Sequence, residues 1–151
     1  MIIGLLCAFI TICLDQITKF FVYGTASRSI IGNLLWFEST LNTGVAFSMF
    51  SGNSILFFII ACIASLILAY LICSKRWIKG NTEKISLGLI LGGTIANAID
   101  RLIFGGVRDF IYLKFINFAI FNIADMAITI GAILYCVGII FLRDNNIDDR
   151  T

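Results

Sequence analysis

The side chains able to do chemistry recur in pairs. Asp15 and Lys19 stand at i, i+4, and Asn97 and Asp100 at i, i+3. Asn122 and Asp125 repeat the i, i+3 spacing, and Asp109 follows a Gly105-Gly106 turn. On a helix, i, i+3 puts the amide and the carboxylate on one face. The stretch ANAIDRLIFGGVRDF at 96–110 carries four charges in fifteen positions, directly after the uncharged run 90–96. Histidine is absent from the chain, which removes the usual general base and the commonest metal ligand. No Ser or Cys lies beside a plausible base, so a covalent nucleophile is poorly supported. Paired carboxylates remain. Two that lie close together cannot both ionise easily, so one keeps a proton. The ionised partner takes a proton from water and the protonated one donates to a carbonyl oxygen. Spacing alone does not separate this peptidase chemistry from a proton or cation path through Asp15, Asp100 and Asp125. A non-catalytic assembly factor is a third reading.

These groups sit in a chain of 151 residues that is 60% hydrophobic and only 13% charged, with a mean hydropathy of +1.01. A soluble domain of this length cannot hide so much apolar surface, so lipid is its expected solvent. Four apolar stretches, at 2–23, 54–73, 85–104 and 124–142, each hold about 19–22 residues, enough to cross ~30 Å of hydrocarbon as helices. The first is read as a retained helix rather than a cleaved leader, because MIIGLL has no positive side chain and Asp15 and Lys19 follow it. The basic link SKRWIKGNTEK, with Lys75, Arg76, Lys79 and Lys84, is expected in the cytoplasm, as is the tail beginning at Arg143. Both termini are then cytoplasmic, and 24–53 and 105–123 lie outside. Arg108 and Lys114 in the second outer segment run against the charge rule. The apolar loop 24–53, broken by Gly and Asn, reads as short strands and turns forming a platform on the outer membrane surface, with Trp36 and Phe37 at headgroup depth. On this topology every polar pair falls near the outer surface, where intramembrane ionisable groups are costly and usually functional.

Cys7, Cys13, Cys62, Cys73 and Cys136 all lie in apolar runs, with no C-x-x-C pair, and read as packing residues. The net charge of +2, without a basic run interleaved with aromatics, gives no sign of nucleic acid.

The chain resembles the lipoprotein signal peptidases (signal peptidase II), a family of bacterial membrane aspartic peptidases. Five blocks carry the resemblance in order: DQITK at 15–19, NTGVAF at 42–47, GGTIANAIDR at 92–101, GGVRDF at 105–110 and FNIAD at 121–125. The resemblance implies an all-α integral membrane protein, one peptidase domain over 1–151, with four transmembrane helices and a small extracytoplasmic β-like platform. It implies cleavage of prolipoproteins before a diacylglyceryl-modified Cys, in the bacterial cytoplasmic membrane, with no metal or cofactor and a monomer sufficient. Asp109 and Asp125 match the family's catalytic pair. Asp15, Lys19, Asn42, Gly44, Asn97, Asp100, Arg101 and Asn122 would bind substrate or support the dyad, with Asp100 and Arg101 as a structural pair fixing the loop of Asp109. Three departures stand out. Ala96 replaces a Gly, where a methyl tightens helix packing. Arg108 replaces a Val, placing a cation either beside the dyad or in solvent. The interval from Asp109 to Asp125 is short, as if a loop were trimmed.

Overall fold

The computed structural model describes residues 1–44, 52–74 and 80–142, with 141–142 described by backbone alone. Much of the basic link, residues 75–79, lies outside the described residues, as do 45–47 of the NTGVAF block and Arg143.

Helix α1 spans Ile2–Val22 and α2 spans Ser54–Cys73. Helix α3 runs Asn81–Phe104, and α4 runs Ile123–Val137 and continues as a π-helical turn over Gly138–Leu142. All four are long and apolar enough to cross a membrane. The third begins four residues before the apolar run expected at 85. The Glu83 carboxylate accepts the Gly80 N–H at 3.2 Å and so supports an earlier first turn. Apolar surface faces outward and charge faces inward. Ile2, Phe20 and Ile55 are 75–78% exposed, whereas Asp15, Lys19 and Asp100 are completely buried. That is the distribution expected when lipid is the solvent.

Helix α3 is the central element and packs against the other three. Glycine permits the close approach. A Cβ on Gly88 would lie 2.3 Å from the Gly4 carbonyl oxygen of α1, and one on Gly93 would lie 2.4 Å from that of Ala124 on α4. Ala96 is fully buried in the same region, which agrees with a methyl that fills rather than opens the packing.

The segment after α1 forms two strands, β1 at Arg28–Ile31 and β2 at Leu35–Asn42, in line with the strand-and-turn reading of 24–53. Their sheet has a third member that the sequence reading left unassigned. Strand β3, Val107–Leu113, pairs antiparallel with β2, giving the order β1-β2-β3. It starts immediately after α3, whose end is turned by Gly105 in the left-handed region at φ 71°.

Candidate active site

Strand alternation sorts the residues of β3 onto two faces. Val107 and Asp109 line a cavity of about 410 Å³, while Arg108 lies on the opposite face. Asp125, on the first turn of α4, lines the same cavity. The short interval between the two carboxylates is closed by a return of the chain. After a 3₁₀ turn at Lys114–Ile116, Phe121 comes back beside Ile111, with N–H to O bonds of 2.8 and 3.0 Å in the two directions. The next residue, Asn122, caps α4. Its Oδ1 accepts the Asp125 N–H at 2.9 Å, and Asp125 Oδ2 accepts the Asn122 N–H at 3.2 Å. One capping box thus starts the helix and orients a cavity carboxylate.

Three Asn amides hold the two acids. Asn122 Nδ2 donates to Asp109 Oδ1 at 2.6 Å, and Asn42 Nδ2 donates to Asp109 Oδ2 at 3.2 Å. Asn97 Nδ2 donates to Asp125 Oδ1 at 2.8 Å. Burial of Asp109, reinforced by the nearby charge of Asp125, pushes its carboxyl up to about 7 despite the opposing amide hydrogen bonds. Asn42 Oδ1 also accepts the Gly44 N–H at 3.0 Å, and the Gly44 carbonyl accepts from Arg101 Nη2 at 3.1 Å.

Asp15, Lys19 and Asp100 are not on the cavity wall. They lie behind it in a buried ionic cluster. The Lys19 ammonium has three N–H groups and three partners: Asp15 Oδ2 at 2.7 Å, Asp100 Oδ2 at 3.0 Å and Asn97 Oδ1 at 3.2 Å. Asp15 Oδ1 accepts the Ala124 N–H at 2.9 Å, so α1 supplies a carboxylate to the first turn of α4. A proton or cation path through Asp15, Asp100 and Asp125 would have to pass two carboxylates that are sealed and engaged by cations.

The pairing of Asp100 with Arg101 is corrected by this geometry. Consecutive helical residues diverge by about 100°. Asp100 turns to Lys19 and Arg108, with Arg108 Nη2 at 2.8 Å from its Oδ1. Arg101 turns to the cavity, its Nη1 reaching the Asn97 carbonyl at 3.4 Å, while its buried Nε has no hydrogen-bond partner among the described residues. Arg108 stands neither beside the dyad nor in solvent. It is buried, and its guanidinium stacks 4.1 Å from the centroid of the Phe104 ring. Gln16 was not singled out from the sequence, although it lies in the DQITK block. Its amide bridges the cluster, donating to Asp100 Oδ1 at 3.1 Å and accepting from Arg108 Nη2 at 2.8 Å.

Comparisons with known proteins agree over nearly the whole chain. Residues 7–141 match the family model described as signal peptidase (SPase) II. The lipoprotein signal peptidase of Shouchella clausii is 42% identical, covering 91% of this chain and 93% of the relative. That of Lactobacillus johnsonii is 36% identical, covering 94% of each. A bacterial membrane enzyme whose structure was determined by the in meso method at 2.3 Å resolution superposes with a TM-score of 0.83 at 32% identity, over 98% of this chain and 92% of the other.

Proposed function

The chain belongs to the signal peptidase II family, and from that premise we propose that it is an aspartic endopeptidase that removes signal peptides from bacterial prolipoproteins. The cut falls just before a Cys bearing a diacylglyceryl group. The observation that carries the mechanism is the convergence of Asp109 and Asp125 on one cavity, each oriented by Asn amides. The pair shares one proton near neutral pH. The ionised carboxylate takes a proton from water, which attacks the scissile carbonyl carbon. The protonated carboxyl donates to the carbonyl oxygen. As the C–N bond of the tetrahedral intermediate breaks, the carboxyl that took the water proton gives it to the leaving nitrogen. The other carboxylate recovers a proton from the gem-diol, which restores the singly protonated pair. Arg101 lines the cavity, where its guanidinium faces the path of the substrate backbone, and it holds the Gly44 carbonyl through Nη2.

An adjoining groove of about 340 Å³ suits the lipid. It is lined by apolar Leu113, Ile116, Met126 and Ile130 and shares Phe121 and Asp125 with the cavity. The sheet lies on the extracytoplasmic surface of the cytoplasmic membrane, with both termini in the cytoplasm. A lipid-anchored substrate then presents its scissile bond at the depth of the dyad. All the proposed residues come from one chain, so a monomer suffices.

The test is a gel-shift assay of the purified protein in detergent, with diacylglyceryl-modified and unmodified prolipoprotein. The modified substrate is expected to be cut and the unmodified one spared. Equal cleavage of both would remove the lipid from the reading. Cleavage of neither by folded protein would remove the peptidase.

A further inference from the structure

The buried cluster behind the cavity contains a cation with no assigned part in the reaction. Asp15 and Asp100 bring two negative charges into it, and Lys19 and Arg108 bring two positive ones. Arg108 engages both oxygens of Asp100: Nη2 at 2.8 Å from Oδ1 and Nε at 3.4 Å from Oδ2. Gln16 and the Phe104 ring hold the same guanidinium from the other sides. Resting on the peptidase reading, we propose that Arg108 is a positioning residue for the dyad, acting through Asp100, Lys19 and Asn97 on Asp125.

The physical argument follows the hydrogen bonds. With Arg108 present, Asp100 is neutralised and needs only one of the three Lys19 donors. The third donor is left for Asn97 Oδ1, at 3.2 Å the longest of the Lys19 contacts. Asn97 Oδ1 also accepts from Asn122 Nδ2 at 3.2 Å, and these two donors fix which way the Asn97 amide is turned. Its Nδ2 then points to Asp125 Oδ1 at 2.8 Å. Without the guanidinium, the buried cluster holds one uncompensated carboxylate. The ammonium is drawn toward Asp100, and its longest bond, the one to Asn97, is released. Asp125 is then held by the Asn122 N–H alone and its Oδ1 loses a fixed donor, although no side chain on the cavity wall has been replaced. The backbone N–H of Arg108, 2.9 Å from Asp100 Oδ2, remains in any substitution and keeps β3 attached to α3.

The experiment measures kcat and KM for prolipoprotein cleavage in Arg108→Met, Arg108→Lys and the double variant Arg108→Met/Asp100→Asn. Arg108→Met should lower kcat by roughly 10–100-fold with KM within about twofold, as expected for loss of a supporting shell. Arg108→Lys, which keeps the charge, should recover most of that loss. The double variant, which removes the stranded carboxylate, should be faster than Arg108→Met alone. If Arg108→Met does not fold, Arg108→Gln takes its place against Arg108→Lys. Wild-type kcat in the neutral variants, a loss confined to KM, or no recovery in either rescue would overturn the positioning role while leaving the peptidase intact. A wild type that cleaves nothing overturns both.

Discussion

At Asp109, burial outweighs hydrogen bonding. The amides of Asn122 and Asn42 favour the ionised carboxylate, yet desolvation and the Asp125 charge hold the group at about 7, from an ordinary value of 3.8. The carboxyl is therefore protonated below about 7 and loses its proton above it. A singly protonated dyad predicts that kcat/KM falls as pH rises through that value. Asn42→Ala removes a hydrogen bond to the ionised form, so this limb should move to higher pH. A pH–rate profile flat from 6 to 9, or a shift to lower pH in Asn42→Ala, would contradict the assignment. Spacing in the sequence marked Asp109 and Asp100 as acids of one locality but could not rank them; family resemblance chose. The structural reason is the change of period at Gly105. Asp100 is on a helix facing α1, whereas Asp109 is on a strand facing the cavity, and strand alternation sends Arg108 the other way. Sequence adjacency suggests Arg101 as the partner of Asp100, but the charged partners are Lys19, 81 positions upstream, and Arg108 on the strand.

Between elements, the site depends on how closely α3 meets α4. Gly93 touches the α4 turn that includes Ala124, next to Asp125, and a methyl there would overlap the Ala124 carbonyl and the Ile128 side chain. Gly93→Ala should destabilise the fold by about 1–3 kcal/mol and lower cleavage, because the turn carrying Asp125 must shift. Gly138→Ala is the control, since the nearest atom to its Cβ would be the Thr82 methyl at 3.8 Å. Thermal unfolding and cleavage assays in detergent check both; equal behaviour of the two variants would contradict the packing argument. Helices of this length and hydropathy were legible because lipid demands long apolar runs. The strands at 28–31 and 35–42 were legible from their β-branched and aromatic residues and turn signals. The third strand was not, because VRDFIYL at 107–113 is buried along much of its length and lacks the alternation of a half-exposed strand. Pairing with β2 on one side and Phe121 on the other accounts for that burial.

Among the described residues, Asp15, Lys19, Asp100, Arg108 and Asp109 are buried while the helices turn large apolar side chains outward, and these polar groups gather at the end of the bundle that carries the sheet. The proposed orientation places that end outside the cell. Single-cysteine variants at exposed Ser29 and Asn81 test it with a membrane-impermeant thiol reagent. Labelling of intact cells is expected at position 29 only, and the reverse pattern would invert the topology. The measurement that tests the central claim most directly is single-turnover cleavage of diacylglyceryl-modified prolipoprotein by wild type, Asp109→Asn and Asp125→Asn. Each variant should fold and bind substrate yet cleave at least ~10²–10³-fold more slowly than wild type. Cleavage at the wild-type rate by either folded variant would contradict the assignment of these two carboxylates as the dyad.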